Sequence, residues 1–196
     1  MESKRDLFDI PRELAYLNTA YFGCFSNKTT ETAVEAAKIK SQPWNITIPD
    51  FFKDAEKARN LFASIINTET DNIALIPSAS YGFAIAAKNI ELSSSDTILL
   101  LSEQFPSNYY VWEEQSKLTG ARLSIVPRPE DDDWTNSVIN HIDSDKSIKL
   151  ISLENNHWTD GGLLDLPQIA NHIKDKNIKL LVDGTQSVGA LPTDVK

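Results

Sequence analysis

The sequence predicts an α/β fold: a mostly parallel sheet with crossover helices. Three observations carry the prediction. Short apolar runs rich in β-branched residues recur at roughly 25–30-residue intervals, with helical patterns between them. Helix start and stop signals bound those patterns, such as Gly120 after Tyr109 to Leu118. The run from Ile178 to Val182 ends abruptly on Asp183, Gly184, Thr185 and Gln186. That change of character is what an open α/β sheet shows where it presents groups to a ligand, just past the carboxyl ends of its strands.

Five strands are expected: Ile73 to Ile76, Thr97 to Leu101, Arg122 to Val126, Ile148 to Leu153, and Ile178 to Val182. Right-handed helical crossovers are the economical way to join them in parallel, although strand order cannot be read from sequence. One helix runs from Tyr109 to Leu118 and another from about Asp165 or Pro167 to Lys174. Before the first strand, Thr32 to Lys38 reads as a helix. A second helix follows, with Phe51, Ala55, Ala58, Phe62 and Ile65 on one face. Gln42 to Pro49 separates the two as a linker. Tyr16 to Gly23 looks like a short strand running into a turn, and the acidic stretch 128–135 like a solvated loop. The expected organisation is an N-terminal arm and helix over 1–49 and an α/β domain over 50–196.

The composition narrows the function classes. At 196 residues and 41% apolar content the chain can bury a full core. A net charge of −9 argues against a nucleic-acid or anionic-membrane surface, which needs basic patches. It leaves room for a small anionic ligand held by local backbone dipoles. A single Cys24 excludes an internal disulfide, and no Cys/His cluster has zinc spacing. No signal peptide or membrane-length apolar run is apparent, so a cytoplasmic protein is expected.

Ligand groups are expected past the strand ends. Ser78, Ala79 and Ser80 open a helix after the first strand. Free N–H groups and a positive dipole end make that turn either a phosphate site or a plain Ser cap. Asp183 either opens a turn or faces a ligand. His157, in the loop after the fourth strand, is either a general acid or base or an ordinary hydrogen-bonding residue. No strand is followed by a Gly-x-Gly-x-x-Gly turn, which disfavours a nucleotide-binding Rossmann protein.

Asp183-Gly184-Thr185-Gln186, with Gly189 to Val195 after it, resembles the aspartate motif of the class-V aminotransferase family. These are fold-type-I pyridoxal-phosphate (PLP) enzymes, among them cysteine desulfurases, kynureninases and isopenicillin-N-epimerase-like proteins. Leu17-Asn18-Thr19-Ala20-Tyr21-Phe22-Gly23 is similar to the family's N-terminal pattern, and Phe105-Pro106-Ser107 to its kynureninase-like branch. Asn156-His157-Trp158-Thr159-Asp160-Gly161 resembles a further block, in which Asn156, His157 and Trp158 all fall near the family's cofactor-contacting Asn. The resemblance implies PLP as cofactor. Asp183 would pair with the pyridine nitrogen, Gln186 reach the phenolic oxygen, and Ser78, Ala79 and Ser80 hold the phosphate. Phe105 would stack on the ring, with Ala20 and Tyr21 near the substrate carboxylate. It implies an amino-acid substrate, transferase, lyase or epimerase chemistry, no metal and a homodimer at full length. In the family a Schiff-base lysine lies a few dozen residues beyond the aspartate, followed by a C-terminal small domain. Here the sequence ends at Lys196, so the expectation is the N-terminal half of such an enzyme, inactive alone. A non-catalytic remnant acting as an interaction or regulatory module is the alternative.

Overall fold

Four of the apolar runs become strands: β1 (Thr97–Leu101), β2 (Arg122–Val126), β3 (Ile148–Glu154) and β4 (Lys179–Asp183). All their pairings are parallel, in the order β2-β1-β3-β4. The computed structural model describes residues 2–196. It divides into two units, one ending at Asn60 and one running from Leu61 to Lys196.

The second unit holds the sheet. Its helices are α3 (Ala79–Asn89) before β1, α4 (Pro106–Thr119), α5 (Trp134–Ser144) and α6 (Leu166–Ile173) in the crossovers. β1 is buried along its whole length and β3 almost so, as central parallel strands covered on both faces must be. The strand period of two then splits the apolar side chains between two cores. Leu99, Leu101, Ile151 and Leu153 pack with Trp134, Val138 and Ile142 of α5 and Ile169 of α6. Ile98, Leu100 and Leu150 face the other way, onto Phe83 and Ala87 of α3 and Trp112 of α4.

Local signals place the helix ends. Asp133 caps α5 by accepting the Asn136 N–H at 2.9 Å, and Asp165 caps α6 through Gln168 at the same distance. Gly120 ends α4 at φ +77°, and a Cβ there would sit 3.1 Å from the Ser94 Cβ. The acidic stretch is therefore only partly a solvated loop, because Trp134 and Thr135 at its end are buried.

The first unit contains α1 (Asn27–Lys40), capped by Ser26, and most of α2 (Asp50–Ile65), which continues into the second unit. Two expected strands do not form. Tyr16 to Gly23 is irregular, with a turn closed by the Phe22 N–H on the Asn18 carbonyl at 3.0 Å. Ile73 to Ile76 joins no strand of the sheet: the Ile73 N–H donates to the Thr70 carbonyl at 3.0 Å, and Leu75 is 56% and Ile76 43% exposed. A strand needs a neighbouring strand's backbone, and among the described residues neither segment takes a place in the sheet β2-β1-β3-β4. No helix among the described residues is long and apolar enough to cross a membrane, and none of their His, Cys, Asp or Glu form a metal-holding group.

Candidate functional site

The carboxyl ends of β3 and β4 bring two acids together. Glu154 and Asp183 are register partners, so their side chains leave the sheet on the same face. Leu150 and Leu181, which share their parity, pack in the α3–α4 core, so this face is the one under those helices. Ser152, two residues before Glu154, donates to Asn108 Oδ1 of α4 at 2.5 Å.

Beside Asp183 lies a cavity of about 640 Å³. Its lining includes Ala79, Gly82 and Phe83 from the start of α3 and Asp183, Gly184 and Thr185 from the end of β4. Ser78 caps α3 by accepting the Tyr81 N–H at 3.1 Å. The N–H groups of Ala79 and Ser80 lie outside the helix's own ladder, at its positive dipole end. Asp183 Oδ1 accepts the Thr185 N–H at 3.0 Å, which fixes the carboxylate at the strand end. The Gly184 carbonyl then takes the N–H groups of Ser187 and Val188, and half-buried Gln186 lies in that turn. A Cβ on Gly184 would come within 2.8 Å of Val188 Cγ2, so the turn needs glycine here.

Two loops complete this end of the sheet. Between β1 and α4, Glu103 adopts φ +54°, uncommon for a residue with a side chain. Its carbonyl accepts the Trp158 indole N–H at 2.7 Å. Half-buried Phe105 opens α4 and meets Trp158 edge to face, with ring centroids 5.3 Å apart. Underneath, Glu154 is 4% exposed and accepts from Gln104 Nε2 at 2.6 Å and from the Trp158 N–H at 3.4 Å. Burial pushes its carboxyl up to about 7, and the charges of Asp183 and Asp160 add to the rise. His157 and the Trp158 N–H pull the other way.

His157 is fully buried, stacked on Trp134 at 4.7 Å. Its Nε2 faces the Ser102 carbonyl at 3.0 Å, so that nitrogen carries a hydrogen, and Nδ1 lies 3.0 Å from the Thr159 hydroxyl. Asp160 lies on the same ring, 3.3 Å from Nδ1. Burial works against the Asp160 charge, but the Gly162 N–H, His157, the Trp134 indole and Arg128 hold its carboxyl below the usual value.

The structure thus brings Ala79 and Asp183 to one cavity, with Ser78 and Ser80 on the same turn and Gln186 following Asp183. Phe105 sits at the same end of the sheet, against Trp158. His157 does not line the cavity; both its ring nitrogens face protein groups. Ala20 and Tyr21 lie in the first unit, where Tyr21 is 63% exposed and edge-on to Phe22. Sequence reasoning missed Glu154 and Gln104. The available signal was an acid closing the apolar run of a central strand, a place where an unpaired charge is costly.

The family model described as aminotransferase class-V matches residues 48–196. This chain belongs to the class-V aminotransferase family. An uncharacterized aminotransferase, YcbU, of Bacillus subtilis is 31% identical over 141 residues, covering 72% of this chain and 37% of the relative. A "Probable cysteine desulfurase" of Pyrococcus abyssi is 27% identical over 146 residues, 72% of this chain and 35% of its own length. Among solved structures, a lysine-to-alanine mutant of C-DES with glycine covalently linked to its PLP cofactor superposes with a TM-score of 0.85 at 20% identity. That match covers 98% of this chain and 52% of C-DES, and at such identity it shows the fold. The chain spans little more than a third of the length of the curated relatives it matches.

Class-V aminotransferases imply PLP as the cofactor, and the residues present fit that group. The N-terminal turn of a helix, where backbone N–H groups suit an anion, and a carboxylate share one cavity. No lysine among the described residues lines it.

Proposed function

We propose that this chain is the cofactor-binding part of a PLP-dependent class-V enzyme that acts on an amino acid by transferase, lyase or epimerase chemistry. The observation that carries the reading is the cavity shared by the α3 N-terminus and Asp183. Bound there, PLP supplies an electron sink for negative charge developing on a substrate carbon. The α3 turn at Ser78, Ala79 and Ser80 holds its phosphate by backbone N–H groups and hydroxyls. Asp183 keeps the proton on the pyridine nitrogen by a charge-assisted hydrogen bond. Phe105, braced edge-on by Trp158, presents an aromatic surface to the ring, and Gln186 orients the phenolic oxygen. Ala20 and Tyr21 serve the substrate carboxylate, and His157 keeps a structural place beneath the loop.

Residues 1–196 hold PLP without a covalent bond and do not turn over substrate alone. The full-length form is a cytoplasmic homodimer. The test is to incubate the chain with PLP, reduce with borohydride and map adducts by mass spectrometry, alongside equilibrium PLP binding. Saturable binding lost in Asp183→Ala, with only scattered lysine labelling, is the expected result. One stoichiometric adduct on a single lysine, together with turnover of an amino acid, would overturn the non-covalent reading. Equal PLP uptake by the Asp183→Ala variant would overturn the site.

A further inference from the structure

Two loops carry the aromatic pair at the site, and one buried side chain touches both. Phe105 follows Gln104 on the β1–α4 connection, and Trp158 lies on the β3–α6 connection. Glu154, the last residue of β3, takes the Gln104 side-chain N–H on Oε2 at 2.6 Å and the Trp158 backbone N–H on Oε1 at 3.4 Å. Gln104 in turn accepts the Leu101 N–H at 3.2 Å, so the contact is anchored to the end of β1. We propose that Glu154 is a positioning residue of this site, a carboxylate clasp that sets where Phe105 and Trp158 stand relative to Asp183. The inference rests on the PLP reading for what the pair faces. The clasp itself is a property of the chain without cofactor.

The chemistry around Glu154 is one-sided. Gln104 Nε2 and the Trp158 N–H are donors, and His157 Nε2, 3.6 Å from Oε1, carries the hydrogen it gives to Ser102. Two N–H donors therefore bond the carboxyl, with the His157 ring beside it, and they favour its ionised form. Against it stand burial and the acids on neighbouring elements: Asp183 on β4 and Asp160 on the β3–α6 loop. The remaining charges nearby pair elsewhere. Glu103 takes the Thr159 hydroxyl at 3.4 Å, and Arg128 lies 3.4 Å from Asp160. Losing the charge weakens the hold on both loops at once, because a protonated carboxyl oxygen is a poor acceptor for those N–H groups. A cation beside Asp183, such as a pyridinium, offsets that acid's repulsion and favours the closed clasp. Ionised Glu154 and a bound pyridinium therefore support each other, and each must strengthen the other by the same factor.

The experiment has one arm without PLP and one with it, both on the full 196-residue chain. In nitrogen-15 NMR spectra without ligand, the Gln104 side-chain amide and the Trp158 backbone amide should shift together as pH crosses neutrality. Glu154→Gln should abolish that common titration. Glu154→Ala should weaken the ring-to-ring contacts of Phe105 and Trp158, whereas Ser152→Ala, which breaks a buried bond on the same strand, should leave them in place. In the second arm, equilibrium PLP binding should fall about tenfold in Glu154→Ala, the scale of one charged hydrogen bond. Glu154→Gln should remove the part of the pH dependence that remains after the titration of PLP itself is subtracted. Unchanged titration of both amides in Glu154→Gln, or intact ring contacts and PLP affinity in Glu154→Ala, would overturn the clasp. A wild-type chain that shows the common titration but takes up no PLP would refute the cofactor reading alone and support the clasp.

Discussion

Glu154→Gln should flatten a pH dependence that the wild-type chain carries in its stability. Folding lifts this carboxyl from the ordinary glutamate value of 4.5 to about 7, chiefly by burial. Between those two values the folded state keeps a proton that the unfolded state has lost. Stability then falls as pH rises, because the slope of unfolding free energy with pH follows unfolded minus folded protons bound. The contribution is complete below about 4.5 and is lost above about 7. At about 1.4 kcal/mol per pKa unit, this one group accounts for a drop of about 3 kcal/mol across the window. A glutamine accepts from Gln104 but turns its NH₂ toward the Trp158 N–H, which adds a cost that does not change with pH. The slope, and not the offset, is thus diagnostic. The assay is urea unfolding of both proteins at half-unit steps from about pH 4.5 to 8, with the difference between them plotted against pH. A difference that stays flat within a few tenths of a kcal/mol would refute the assignment of the buried acid to Glu154.

Other outcomes follow from single contacts. Asp183→Ala should weaken PLP binding by tenfold to about a hundredfold, the range for a hydrogen bond to a charged group, read by titration at fixed pH. Ser78→Ala removes the cap on the Tyr81 N–H and should cost about 1 kcal/mol in unfolding experiments, and an unchanged midpoint would refute the cap's role. Gly120→Ala puts a side chain at φ +77° and against Ser94, and should cost about 1–2 kcal/mol, with Gly120→Asn milder. Ile151→Ala, in the fully buried middle of β3, should cost about 2–5 kcal/mol, and a smaller loss would mean that this core collapses around the gap.

Periodicity and local chemistry determined much of this protein from sequence alone. The runs at Thr97, Arg122, Ile148 and Ile178 became strands because β-branched and leucine-rich segments of that length suit a covered parallel sheet. Gly120, Asp165 and Ser78 marked helix ends because capping is a contact over three or four residues. Asp183 stood out at the end of β4 for the same local reason, with Gly184 forced by Val188 close behind it. Tertiary structure alone decided the rest, because it depends on what lies across space. Ile73 to Ile76 has the composition of a strand, yet among the described residues it takes no place in the sheet. The order β2-β1-β3-β4 put Glu154 beside Asp183, although 29 positions separate them in the chain. His157 read from sequence as either a general acid or base or an ordinary hydrogen-bonding residue, and its burial against Trp134 and contact with the Ser102 carbonyl exist only in the folded chain. Glu154 carried almost no signal, since one acid at the end of an apolar run shows neither its burial nor the two donors that bond it. Those are sums over loops brought together only when the sheet forms.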